Sequence, residues 1–393
     1  MARERPETLD ASMENHQLLV DISIFHKNDA GTGIQRVVRA ISEQLSDLDI
    51  AGYDVRFVIA TKWKKYHYAD FINFKNLDTR PKKIKVGSGD VFLGLDLSSR
   101  ILPRHIRQIK SWKRLGVKIS IVVYDLLPIS NPEWFNEKQV KPFKKWLVTV
   151  ANFADQVLCI SQTVAKNFEQ WLLENGLARE KHPLDVAVIP LGAGIRQSGS
   201  STGIAAREAH HIDNLIDKRF VLLVGTIEPR KGHGVAVAAF DHLFRNNCEN
   251  MPILIIIGRP GWKTEELQHH IRNHPEAGSR LIWLDDASDE LLERLYKACS
   301  GVLFPTFAEG FGLPLIEALS YRKPVLARDL PVLRELQSGE VDFFDDDRPE
   351  ELARRIMDWQ AKIERRGNFE YNAPTWKQSC FRMLKLLGIN PSH

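Results

Sequence analysis

Short runs of β-branched and aliphatic residues alternate with longer stretches whose apolar positions recur every three or four residues. The short runs read as buried strands at 18–24, 54–60, 91–95, 118–124, 156–160 and 186–190, and again at 220–225, 252–258, 281–284, 301–305, 324–327 and 341–344. Strands alternating with helical patterns predict parallel α/β sheets, so two doubly wound halves are expected. After Asp347 the pattern turns helical, through 350–366 and then 376–387, with Pro374 placed to begin the last helix.

Between the halves, RQSGSSTGIAAREAHHIDN (196–214) is rich in Ser, Gly and polar residues and weakly periodic, as a linker is. The expected division is a loose tail over 1–16, a first domain over 17–195, a linker over 196–216, a second domain over 217–370 and a last helical segment over 371–393. A chain of 393 residues exceeds one ordinary core. Two domains imply a cleft, and in open α/β sheets ligands sit outside the carboxyl ends of the strands.

With 44% hydrophobic and 26% charged residues, the composition is that of a soluble globular protein, and no apolar run approaches the ~18 residues of a membrane span. The polar start MARERPETLDASMENH lacks a secretory pattern, so export is not expected. Cys159, Cys248, Cys299 and Cys380 lie far apart with no CxxC pair, which suits a reducing cytoplasm and argues against a structural metal site. From Arg56 to Lys145 there are 20 Lys and Arg against 7 Asp and Glu, a local excess of +13. Such an excess points to an anionic partner: a membrane surface or a pyrophosphate-linked acceptor, with nucleic acid not expected and a solvated face as the plain alternative.

The chemistry concentrates after the strand signal at 301–305, in TFAEGFGLPLIEAL, where seven residues separate Glu309 from Glu317. Gly310 and Gly312 let backbone approach a ligand closely, and Pro314 suits the first turn of a helix. Unpaired N–H groups and the helix dipole favour phosphate there, so the turn from Gly310 through Phe311 and Gly312 to Leu313 is a candidate diphosphate seat. Glu317, one turn inside the helix, would accept hydrogen bonds from ribose hydroxyls, and Glu309 from those of an attached sugar. A tight strand-to-helix connection with two chance glutamates is the alternative.

The whole string E-G-F-G-L-P-x-x-E-A-L, following F-P and preceding K-P-V-L-A, resembles the donor-site signature of the retaining glycosyltransferases of family 4. The likeness covers most of the chain and is nearest to mannosyl- and related transferases of bacterial surface polysaccharides. It implies a GT-B fold, with two Rossmann-like domains facing across a cleft and the C-terminal helix packing back on the first. VGTIEPRKG resembles the family's phosphate loop, which implies that Arg230 and Lys231 grip the nucleotide diphosphate while Gly225 and Thr226 leave room beside it. DAGTGIQRVVRAI resembles the Gly-containing loop near the acceptor and donor phosphate, implying that Gly31 and Gly33 line the cleft. Arg36 either joins them or lies on the outer face of an ordinary helix capped by Thr32. KISIVVYDLLPISNP resembles the family's V-x-H-D-x-x-P stretch and keeps Asp125 and Pro128. It carries Tyr124 where a His commonly stands, and a Tyr hydroxyl accepts no proton as a His does. The implied acceptor side is Gly31, Gly33, Tyr124 and Asp125, and the implied catalytic set is Arg230, Lys231, Glu309 and Asp125.

The implied reaction moves a hexose, with mannose favoured, from GDP-mannose or another nucleotide diphosphate sugar to a glycan or polyprenyl-diphosphate-linked acceptor. No metal and no further cofactor are expected. Asp345-Asp346-Asp347 reads as a solvated turn capping the next helix rather than as a metal motif. The expected location is cytoplasmic, with peripheral contact to the inner face of the membrane where the basic stretch meets lipid. A sugar-nucleotide epimerase of the same fold and a catalytically inactive glycan-binding scaffold are the rival readings. A dinucleotide oxidoreductase is disfavoured because no G-x-G-x-x-G follows the first strand.

Overall fold

The computed structural model describes residues 15–29, 31–69, 83–180, 182–194, 218–246, 248, 250–336, 338–365 and 369–390. The expected linker and most of the expected tail lie outside them. In the first sheet the strands are β1 (His16–Asp21), β2 (Tyr53–Ile59), β3 (His67–Tyr68), β4 (Val91–Gly94), β5 (Lys118–Val123), β6 (Gln156–Cys159) and β7 (Asp185–Val188), ordered β3-β2-β1-β4-β5-β6-β7. All pair in parallel except β3, which runs antiparallel to β2 at the edge. That two-residue strand has no hydrophobic run of its own and is absent from the sequence reading. β1 begins at His16, inside the span assigned to the tail.

The second sheet holds β8 (Phe220–Val224), β9 (Ile253–Ile257), β10 (Leu281–Leu284), β11 (Gly301–Phe304), β12 (Val325–Arg328) and β13 (Val341–Phe344), ordered β10-β9-β8-β11-β12-β13 and parallel throughout. Strands such as ILIII in β9 are buried along their whole length because helices cover both faces, which is why they read as continuous apolar runs. Strand order reverses between β1 and β4 in one sheet and between β8 and β11 in the other. Those reversals open crevices at the carboxyl ends, so the loops after β1, β4, β8 and β11 are where a ligand belongs.

The last helix, Trp376–Leu387, returns to the first domain as the family resemblance implies. Its Trp376, Cys380, Met383, Leu384 and Leu387 join that domain's core. Ser379 Oγ donates to the Pro190 carbonyl at 2.6 Å, and Gln156 Nε2 to Leu386 O at 2.9 Å. The helix is capped by Thr375, whose side chain accepts from Gln378 N, so Pro374 precedes it rather than beginning it. The capping oxygen supplies what a proline at the first turn cannot. A second correction concerns Asp345-Asp346-Asp347: the following helix, Pro349–Ile363, has Arg348 at its cap position. Asp346 Oδ1 accepts from Arg348 N at 2.9 Å, and Asp347 pairs with Arg328 at 2.5 Å. Those two carboxylates serve arginines, and no side chain caps the helix.

Candidate active site

Two loops of the second domain are joined at their bases. β8 ends at Val224, and the chain passes through Gly225 (φ 152°) into the turn Pro229–Lys231 and then Gly232 (φ 70°). A Cβ on Gly232 would lie 2.1 Å from the Pro305 carbonyl oxygen, so only glycine lets this turn rest on the end of β11. Phe307 N then donates to Arg230 O at 2.7 Å. The backbone thereby brings Arg230 and Lys231 against Glu309.

The side chains complete a buried charge cluster. Lys231 Nζ lies 2.5 Å from Glu309 Oε1, and Arg230 NH1 lies 3.1 Å from Glu309 Oε2. Arg230 NH2 also pairs with Glu228 at 2.7 Å, and Thr306 Oγ1 lies 3.0 Å from Glu309 Oε1. Burial works to raise the Glu309 pKa, but Lys231 and Arg230 outweigh it and hold the carboxyl below its ordinary range. Burial and neighbouring Arg230 push Lys231 down, with Glu309 opposing. Burial lifts Asp125 and Glu228, against the pull of Arg230. Three carboxyl groups thus surround two cations, and a diphosphate reaching the cations competes with Glu309 for them.

His233 opens the next helix, His233–Arg245, at 1% exposure. Burial and the adjacent Lys231 ammonium push its pKa down to about 3, so the imidazole beside the clamp is neutral.

The segment after β11 packs on the first domain. A Cβ on Gly310 would sit 2.1 Å from the Tyr124 carbonyl oxygen, and Ser161 Oγ donates to Gly310 O at 2.7 Å. Gly312 holds φ 101° at the cap of the helix Leu313–Ser320. Leu313 and Ile316 belong to the first domain's core, and Phe311 packs against it. These glycines therefore serve a backbone approach between domains and a left-handed cap.

Glu317 is 1% exposed, and its carboxylate is bonded by the Arg36 guanidinium from the helix Gly33–Asp47 and by Tyr296 Oη at 3.2 Å. Arg36 thus points into the domain interface rather than to the outer face of its helix. Thr32 caps that helix as read, accepting from Gln35 N. Gly33 lies across from the donor segment, since a Cβ there would be 3.9 Å from Leu313 Cδ1, whereas one on Gly31 would meet nothing within 4 Å. Tyr124 Oη donates to Leu95 O at 2.7 Å inside the first domain, so its hydroxyl is already engaged.

The structure therefore gathers Arg230, Lys231, Glu309 and Asp125 into one electrostatic cluster and sets Gly33, Leu313 and Glu317 at the seam. Thr226 stands half-buried beside Gly261, whose Cβ position is 3.1 Å from the Thr226 methyl. Sequence reasoning passed over Glu228 and Thr306, which brace the clamp, and Tyr296, which braces Glu317. Glu228 was within reach, since it sits in the quoted VGTIEPRKG string; Tyr296 lies on a helix whose contacts no spacing announces. Trp262 donates its indole N–H to Trp134 O at 2.7 Å across the domains.

Among the described residues, Asp241, His270 and His274 cluster closely enough to hold a metal ion. His274 Nδ1, however, accepts from Glu276 N at 3.0 Å, which leaves the hydrogen on Nε2 facing Asp241 at 3.1 Å. With Nδ1 engaged as an acceptor and the hydrogen on Nε2, the ring offers no lone pair to a metal there.

Residues 206–376 match the family model described as Glycosyl transferases group 1. Across 95% of its length the chain is 35% identical to the serotype-specific mannosyltransferase WbdA of Escherichia coli, covering 46% of that protein. It thus spans about half the length of the curated relatives it matches first. Among solved structures, Anabaena HepE in complex with UDP and glucose is similar at a TM-score of 0.61, with 15% identity and coverage of 95% of this chain and 100% of that one. WaaG, a glycosyltransferase involved in lipopolysaccharide biosynthesis, is similar at 0.55, with 13% identity and coverage of 94% and 95%. The fold common to these neighbours is GT-B.

Proposed function

We propose that this chain, whose residues 206–376 match the group 1 glycosyl transferase model and whose two sheets form a GT-B fold, transfers a hexose, mannose first, from a nucleotide diphosphate sugar to a glycan acceptor in surface polysaccharide synthesis. The observation that carries the reading is the Arg230–Lys231 pair held on Glu309 at the carboxyl ends of β8 and β11. Two cations there suit a diphosphate leaving group, because charge grows on its oxygen as the bond to the sugar breaks. Likeness to a mannosyltransferase over 95% of the chain supports mannose; GDP-mannose is the donor this reading takes.

On this reading the diphosphate takes over the cations from Glu309, which turns to the sugar hydroxyls, while Glu317 exchanges part of its hold on Arg36 and Tyr296 for the ribose. The anomeric configuration is retained by a front-face reaction, in which the acceptor hydroxyl attacks from the leaving group's side and gives its proton to the departing phosphate oxygen. Gly31, Gly33, Tyr124 and Asp125 border the acceptor. The protein contributes position and positive charge, with no metal and no further cofactor. The acceptor is a glycan or a polyprenyl-diphosphate-linked glycan met at the inner membrane face. No helix among the described residues is long and apolar enough to cross a membrane.

Arg230→Ala or Lys231→Ala should lower turnover on the order of 10²-fold or more through lost leaving-group stabilisation. Purified variants transferring mannose at the parent rate would remove the assignment.

A further inference from the structure

A second basic site lies apart from the donor clamp. β1, β2, β4 and β5 are mutually parallel, so the chain segments that follow β2, β4 and β5 all start at one edge of the first sheet. There they enclose an open cavity of about 650 Å³ lined by Lys62, Arg100, Arg104, Lys138, Lys141 and Lys145. Among the described residues its only acidic lining residue is Glu137, paired with Lys141 at 3.4 Å. Lys138, Lys141 and Lys145 come from the first half of one helix, Glu137–Phe153, at spacings of three and four that put them on one face. Among the described residues Lys62, Arg104, Lys138 and Lys145 have no carboxylate within ion-pair range. Nothing in the donor chemistry uses these groups.

An independent feature adjoins the cavity. Trp63 is 86% exposed, an unusual state for an indole, and it stands in the run Lys62-Trp63-Lys64-Lys65, all exposed. An exposed Trp among lysines fits the boundary between water and hydrocarbon, where the ring enters and the ammonium groups stay with the headgroups. A soluble phosphate would use the cations and leave Trp63 without a role.

We propose that this cavity and Trp63 form a docking site for an anionic lipid surface, the cations seating headgroup phosphates and the indole entering the interface. This deepens the membrane contact in the functional reading but is independent of the donor. It also presents the cleft to the membrane: the segment leading into the helix Glu137–Phe153 carries Trp134 and Phe135, whose carbonyls accept from Trp262 and Lys263 of the second domain. Lipid phosphate gripped by that helix therefore lies one short segment from the cleft rim.

Sedimentation of the full chain with phosphatidylcholine vesicles, with and without phosphatidylglycerol, tests the site. Binding should require phosphatidylglycerol and weaken with salt. At about fivefold per basic residue near the surface, the combined Lys138→Gln, Lys141→Gln and Lys145→Gln variant should bind on the order of hundredfold more weakly. Trp63→Ala should weaken binding while leaving its salt dependence unchanged. All these residues are exposed, so the variants should keep the parent's melting temperature and its thermal shift with a nucleotide diphosphate, which reads the donor clamp separately. Absence of binding to phosphatidylglycerol vesicles, or parental binding by the triple variant, overturns the proposal. Protection of the lysines by inorganic pyrophosphate without vesicle binding reassigns the cavity to soluble phosphate and also overturns it.

Discussion

Glu309 holds both cations of the proposed donor clamp. Its two oxygens lie 2.5 Å from Lys231 and 3.1 Å from Arg230, the cations assigned to the diphosphate. Glu309→Gln removes the competing charge and leaves both cations short of a partner. The folded protein should lose about 3 kcal/mol, near the lower end for a broken buried pair because Arg230 keeps Glu228. A nucleotide diphosphate should restore more stability to this variant than to the parent, while turnover falls; equal thermal shifts would contradict the exchange. His233 makes a separate statement about pH. Its folded pKa of about 3 lies below the ordinary 6.5, so the neutral ring stabilises the fold above pH 6.5, and that contribution is lost as pH falls from 6.5 toward 3. Denaturant unfolding across that window should show a shallower acid loss for His233→Asn than for the parent, and parallel curves would sink the idea.

Among the elements, the strand-to-helix turn at Gly310 sets the relation between the two domains. Gly310→Ala places a methyl 2.1 Å from the Tyr124 carbonyl, and backbone on both sides resists the shift. We expect a loss of about 1–3 kcal/mol together with faster hydrogen exchange at Ser161 and Tyr124, and unchanged exchange there would contradict it. Most elements were legible because buried parallel strands write themselves as apolar runs: the strands expected at 220–225, 281–284 and 301–305 appear as β8, β10 and β11 within a residue at either end. β3 was not legible, since its two residues are held by pairing to β2 rather than by burial of their own. The glycines of the donor turn were visible, but not what they approach. Gly310 meets the Tyr124 carbonyl, a contact between residues 186 apart that no local spacing reports.

At the scale of the whole molecule, the domains meet through paired polar groups as well as apolar packing. Arg36 bonds Glu317, Ser161 bonds Gly310, and Glu335 accepts from Gln162 N at 2.8 Å and Thr163 N at 2.6 Å, satisfying the start of the helix Gln162–Glu174. The grouping of Arg230, Lys231, Glu309 and Asp125 was foreseeable from the family resemblance of motifs that follow strands, because the fold places every such loop at the same edge. The partner of Arg36 was not, because it depends on how one domain sits on the other. The central claim is that this edge carries a metal-independent, retaining hexosyl transfer driven by the cation pair. Its most direct test is proton NMR of the product formed from GDP-mannose and a mannose-terminated oligosaccharide in the presence of a chelator. The account predicts a new α-linked mannose made by the parent chain and reduced on the order of 10²-fold or more by Lys231→Ala. A β-linked product, abolition of transfer by the chelator, or an undiminished yield from Lys231→Ala would contradict it.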